Sequence, residues 1–245
     1  MEQRERREFL IKALLAEYPR YASMAVPQQE EAQRRLLRSL MNQRMPRPVN
    51  NEVLRVQDAY LQQDAKERGI TQLDDLTPIQ PNLYVWKGDI TLLAVDGIVN
   101  AANSQMLGCF VPCHGCIDNA IHTHAGIQLR LECADLMQRQ GHEEETGLAK
   151  ITKAYNLPSK FVLHTVGPVV QGRLNKEHCR LLQSCYLSCL ALAEEKGLRS
   201  LAFCCISTGV FGFPKREAAQ IAVQTVKAYQ EKTGSAMKII FNVFA

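Results

Sequence analysis

From Thr77 onward the chain alternates short apolar runs with longer amphipathic ones, and this alternation limits the fold more than any other feature. Leu83–Trp86, Ile98–Ala102, Leu148–Tyr155, Phe161–Thr165, Leu201–Ile206 and Lys238–Phe244 read as strands. Ile117–Arg139, His178–Glu195 and Lys215–Gln230 read as helices, the first facing inward through Ile117, Ile121, Ala125, Leu129 and Leu136. Strands and helices of these lengths in alternation predict an α/β fold, a three-layer α/β/α sandwich with a mixed sheet. Ligands of such sheets sit outside the carboxyl ends of the strands.

Residues 1–76 have a different pattern. Three helices are expected over 5–16, 28–43 and Asn51–Arg68, broken by Pro19 and by Met45-Pro46-Arg47-Pro48 and closed by Gly69. Gln57 interrupts the apolar stripe of the third. The arginine-rich faces read as solvated helix surface. Pro78 and Pro81 mark the change in composition, so the expected division is an N-terminal helical extension over 1–76 and an α/β domain over 77–245.

The chain has 29 basic and 25 acidic residues, giving a net charge of +4. The two signs are interleaved, which argues against a nucleic-acid surface. Nine cysteines without a regular framework favour a reducing cytoplasm over disulfides. The N-terminus lacks the long apolar run of a signal peptide, and no apolar stretch is long enough to span a membrane.

Chemistry concentrates in Asn100–Ala125, which holds three cysteines, three histidines, three asparagines and an acid. Cys109, Cys113, Cys116 and His114 offer thiolates and an imidazole at close spacing, a donor set suited to Zn2+ with an open fourth position. Half-buried thiols and a redox Cys-x-x-Cys are the competing readings. The second feature is Ser207-Thr208-Gly209-Val210-Phe211-Gly212-Phe213-Pro214, between a strand and a helix. Its glycines allow tight turns, and its amides either cradle a diphosphate or form a plain connection.

Gly88-Asp89-Ile90-Thr91, Asn100-Ala101-Ala102-Asn103 and Ile206–Pro214, in this order, resemble the macrodomain family over residues 77–245. The Leu107–Cys109 segment, His114, the Cys116–His122 segment and the helical extension narrow the resemblance to its zinc-containing bacterial members. The resemblance implies binding of ADP-ribose and removal of mono-ADP-ribose from a protein side chain. A reader that binds ADP-ribose without cutting is the alternative. It implies that Asp89 accepts the adenine amine with the Ile90 amide beside it. It further implies that Asn103 meets the distal ribose, that Ser207, Thr208, Gly209, Val210, Phe211, Gly212 and Phe213 hold the diphosphate, and that Cys109, His114 and Cys116 bind Zn2+. Asp118 falls where the family has an acid beside the metal, and is expected to orient or deprotonate the attacking water, with Asn103 fixing the ribose. The implied partners are a sirtuin-type ADP-ribosyltransferase and a mono-ADP-ribosylated, lipoylated carrier similar to the glycine-cleavage H protein. Cys113 departs from the family pattern and competes with Cys109 as first thiolate. The sequence stops at Ala245, where relatives continue into a last helix, so a clipped chain or a short layer is expected.

The remaining candidates read as structural. Helix capping is the plain alternative for Asp118, and an Asx turn for Asn103. His122 reads as a packed histidine and His164 as structural. Cys133, Cys179, Cys185, Cys189, Cys204 and Cys205 read as small buried hydrophobes, and Glu143–Glu145 as a solvated acid run.

Overall fold

The alternation resolves into one seven-stranded mixed sheet. The structure is a computed structural model that describes residues 1–21 and 23–244; Ala245, on which the expectation of a clipped or short last layer falls, lies outside them. The strands are β1 (Pro78–Gln80), β2 (Leu83–Lys87), β3 (Gly97–Ala102), β4 (Ala149–Lys153), β5 (Phe161–Val166), β6 (Ser200–Phe203) and β7 (Lys238–Val243). Their spatial order is β1-β2-β7-β6-β3-β5-β4, with five parallel strands in the middle and an antiparallel strand at each edge. Ile98, Val99, Val162, Leu163, Leu201, Ala202, Ile239 and Ile240 are fully buried. Central parallel strands covered on both faces need such continuous apolar runs.

Among the described residues there are seven α-helices, α1 (Gln3–Ala16), α2 (Glu30–Gln43), α3 (Asn51–Arg68), α4 (Ile117–Ala125), α5 (Ile127–Gln140), α6 (Lys176–Glu195) and α7 (Lys215–Thr233), besides three short 3-10 turns and a small parallel pair of Thr71–Gln72 with Leu93–Ala94. The connection through α4, α5 and the edge strand β4 carries the chain from β3 to its parallel neighbour β5. Those through α6 and α7 move the other way, toward β7. Right-handed crossovers in opposite directions place the two helix pairs on opposite faces. The expected three-layer sandwich with a mixed sheet is therefore the observed fold.

One expectation is corrected in the middle layer. The single helix over Ile117–Arg139 is two helices, broken at Gly126, whose φ of 96° and ψ of −179° are open only to glycine. Gln57 explains the break. Its Oε1 accepts from the Ile127 amide at 2.9 Å, satisfying a donor at the start of α5, and its Nε2 donates to Gln128 at 2.7 Å. The residue that interrupts the apolar stripe of α3 is buried because it joins the extension to the sheet domain.

The helices α1, α2 and α3 bury Leu10, Ile11, Leu14, Leu37, Leu40 and Tyr60 in a core of their own, into which Ile127 of α5 inserts. Their arginine-rich surface is solvated in part, as expected, with Arg4, Arg35 and Arg55 exposed, but two arginines turn inward. Arg7 and Arg44 are each 2% exposed. Arg7 donates to Gln33 and Glu30, and Arg44 to Glu17 and to the Arg47 and Pro48 carbonyls. A buried guanidinium needs this many acceptors to offset its lost hydration.

Candidate active site

The carboxyl ends of the adjacent strands β3 and β6 carry most of the residues singled out above. β3 ends in Asn100-Ala101-Ala102 and delivers Asn103 just beyond its last residue. Asn100 is fully buried, and its Nδ2 donates to Asp118 Oδ1 at 2.8 Å and to His164 Nδ1 at 3.2 Å. Asn103 Nδ2 reaches Asp118 Oδ2 at 3.4 Å and the Gly108 carbonyl at 3.2 Å, while its Oδ1 accepts from the Gln105 amide at 3.1 Å. Asn103 thus forms the Asx turn and faces Asp118 at once.

Asp118 stands in the first turn of α4, but it is not the cap. Cys116 is the N-cap, its Sγ accepting from the Asn119 amide at 3.4 Å. This frees the Asp118 carboxyl to turn inward, where it is 5% exposed. Burial pushes it up to about 6, against the lowering pull of the Asn100 amide and of Arg130.

Two groups of soft donors have ligand atoms within 4.8 Å of one another: half-buried Cys109, His114 and Cys116, and fully buried His122, Cys133 and His164. The first group unites the three expected ligands. Two thiols and an imidazole suit a zinc ion in type and number, leaving a fourth position open. Cys113 points elsewhere, its Sγ donating to the Arg35 carbonyl at 3.4 Å. Burial, with Cys109 beside it, pushes the Cys116 thiol up to about 11.

In the second group His164 spends both ring nitrogens, Nδ1 on Asn100 and Nε2 on Thr152 at 2.9 Å. His122 lies beneath Gly108, where any Cβ would come within 2.7 Å of its ring. Neither nitrogen of His122 has a hydrogen-bond partner, and Nε2 stops 3.6 Å from Asp118 Oδ1. The packed histidine expected here is buried but unsatisfied.

Burial holds His164 down at about 3 and His122 well below its ordinary 6.5. Both rings are neutral in the folded chain, whereas a histidine in the unfolded chain takes up a proton near 6.5. Below that pH the unfolded state binds more protons, so stability is kept above it and lost on acidification. The expected loss is about 1.4 kcal/mol per pH unit for each ring. Denaturant midpoints measured between pH 7 and about 4 should show His164→Gln with a shallower fall than the parent.

The loop after β6 begins at Ser207, whose φ is 62° and whose Oγ is buried without a partner. The amides of Thr208, Gly212 and Phe213 bond the carbonyls of Cys205, Gly209 and Ser207. Among the described residues, the amides of Gly209, Val210 and Phe211 have no acceptor. They lie in the loop that leads into the amino end of α7, an arrangement suited to an anion. At the end of β2, Asp89 Oδ1 accepts from the Thr91 amide and hydroxyl, and Oδ2 pairs with Arg68 of α3. A carboxylate has about four acceptor sites, so one remains for a ligand donor. Ile90 follows it, 1% exposed.

Two expectations about bystanders are corrected. Glu144 is not a solvated acid. It is 4% exposed and pairs with Lys150 at 2.9 Å, because the loop folds back until its amide bonds the Ser104 carbonyl. Cys205 is exposed rather than buried, since β6 ends at Phe203 and the pleat no longer holds it inside. A cleft of about 890 Å³ lined by Asp96, Lys160, Glu194 and Arg199 lies at the amino ends of the strands and holds none of the site residues. Reading the sequence missed Asn100, Asn119, Arg130 and Arg38. The first two lie inside motifs already noted. The others carry no local signal.

A sheet of this topology, with a glycine-containing loop after β6 and an Asn–Asp pair after β3, sets its candidate site along the carboxyl edge of an α/β domain. A family model described as Macro domain matches residues 99–222. The chain is 58% identical to a protein of Treponema medium described as a protein-ADP-ribose hydrolase, covering all of this chain and 95% of the relative. A Fusarium oxysporum protein described as a probable bifunctional ADP-ribose hydrolase/ADP-ribosyltransferase is 41% identical, over 85% of this chain and 38% of its own length. Among solved structures, the Trypanosoma brucei macrodomain in complex with ADP-ribose superposes with a TM-score of 0.65 at 32% identity, covering 84% of this chain and 89% of that one. The chain therefore belongs to the macrodomain family, in the group that includes bacterial protein-ADP-ribose hydrolases. Among the described residues, no helix is long and apolar enough to cross a membrane.

Proposed function

We propose that this protein is a zinc-dependent hydrolase that removes mono-ADP-ribose from a modified protein side chain and releases ADP-ribose. The observation that carries the reading is the contact between Asn103 and Asp118 beside the converging donors of Cys109, His114 and Cys116. The order of groups along the sheet edge supports it. Asp89, the β6 loop and Asn103 follow β2, β6 and β3, which span three strand spacings, or about 14 Å. Adenine on Asp89 and Ile90, diphosphate on Ser207–Phe213 and distal ribose at Asn103 lie in the same order as in the ligand.

Hydrolysis breaks the bond between C1″ of the distal ribose and the side chain, and builds positive charge on the sugar. Cys109, His114 and Cys116 would hold the zinc, which supplies Lewis-acid polarisation of an oxygen at the linkage. Asn103 holds the ribose hydroxyls through its amide. As the water attacks C1″ and the bond to the side chain breaks, the Asp118 carboxylate, facing the cationic sugar, takes the proton of the water and passes it to the departing side chain. Asn100 fixes Asp118 Oδ1 from below, so the carboxylate meets the reacting atoms already oriented.

The same reading divides the chain into a helical extension over 1–76 and a macrodomain over 77–245, supported by the two separate cores joined through Ile127. It places the protein in a reducing cytoplasm, in keeping with nine free cysteines. Its partners are a sirtuin-type ADP-ribosyltransferase and a lipoylated carrier similar to the glycine-cleavage H protein. The Fusarium relative, described as carrying both activities, supports the pairing with a transferase. The test is release of free ADP-ribose from a mono-ADP-ribosylated protein. Turnover that stops on chelation and returns with zinc is expected. Calorimetric binding with no turnover at any metal content would make the protein a reader instead.

A further inference from the structure

The helical extension reaches the soft-donor loop through one guanidinium. Arg38 lies on the face of α2 turned toward α4. Its Nη2 donates to the His114 carbonyl at 2.9 Å and to Asn119 Oδ1 at 2.8 Å, and its Nε also reaches Asn119 Oδ1. Asn119 is fully buried and passes the contact on. Its Nδ2 donates to the carbonyls of Cys109 and Val111 at 3.3 and 3.0 Å, and its backbone amide donates to Cys116 Sγ. Asn42, one turn further along α2, accepts from the Cys113 amide at 2.9 Å and donates to Thr123 at 2.8 Å.

The loop between Ala102 and Ile117 has neither helix nor strand to order it. Its three donors are therefore held by side-chain contacts from outside the loop, and a metal site tightens when outside partners hold the ligands in place. Arg38 provides such a hold on all three. It meets His114 directly, and meets Cys109 and Cys116 through Asn119. We propose that Arg38 is a positioning residue for the metal loop, so that the extension completes the hydrolase site. This inference rests on the zinc reading above. A guanidinium serves two acceptors at fixed angles, whereas a lysine ammonium on a flexible stem serves them less well.

The test measures zinc affinity by chelator competition on the full-length parent, Arg38→Ala and Arg38→Lys, with ADP-ribose affinity measured by calorimetry on the same samples. Arg38→Ala should bind zinc about 10- to 100-fold more weakly, with Arg38→Lys between it and the parent. ADP-ribose affinity should be unchanged, because the β6 loop is not touched. A parent that holds zinc beside two variants that hold it equally well overturns the inference and leaves the zinc reading standing. Equal losses of zinc and ADP-ribose affinity also overturn it, since they report a general loosening. A parent that takes up no zinc removes both. Should Arg38→Ala fail to fold, Arg38→Lys carries the comparison, as it keeps the charge and the stem.

Discussion

Asp118→Asn should lower the rate of ADP-ribose release by about 10²- to 10⁴-fold, the range lost when a positioned proton acceptor is removed. The amide keeps the size of the carboxyl, and its oxygen still accepts from Asn100. What it loses is the negative charge facing the sugar and the ability to take a proton. ADP-ribose affinity should stay close to the parent value, because the anion loop and Asp89 lie on other strands. Single-turnover release from a mono-modified protein, with calorimetry on the same sample, separates the two quantities. Release at the parent rate would show that Asp118 is only packing.

Cys116→Ser should cost at least about a hundredfold in metal affinity, since even groups that merely support a ligand cost up to that much. Turnover should fall with the metal. This substitution is informative because Cys116 has two roles. It is a proposed ligand and it is the N-cap of α4. Serine caps a helix well, so the helix end is kept while the soft donor is lost. The melting temperature of the metal-free protein should therefore hold. Metal content by mass spectrometry of the intact protein, read beside that melting curve, distinguishes the roles. A variant that keeps its zinc would point to Cys109 and His114 with some other donor.

Much of the sheet domain could be read from local pattern. LAFCCI, the Asn100–Asn103 run and the loop Ser207–Phe213 announce strand ends and a ligand edge without reference to distant residues, and the resemblance followed from their order. The break at Gly126 escaped because its cause is a side chain about 70 residues away, the Gln57 carbonyl oxygen that satisfies Ile127. Arg38 escaped for the same reason. Its acceptor on Asn119 is 81 positions along the chain, and nothing in the periodicity of α2 marks one arginine from its neighbours. Hydrophobic spacing locates elements, whereas polar pairing between elements depends on how they dock. The residues that join the extension to the site belong to that second class.

The most direct measurement is anomalous scattering at the zinc edge from crystals grown with ADP-ribose. One zinc ion on Cys109, His114 and Cys116, facing the distal ribose beside Asp118, is the expected result. A metal-free loop after zinc is supplied, or an ion seated instead among His122, Cys133 and His164, would contradict the proposed site.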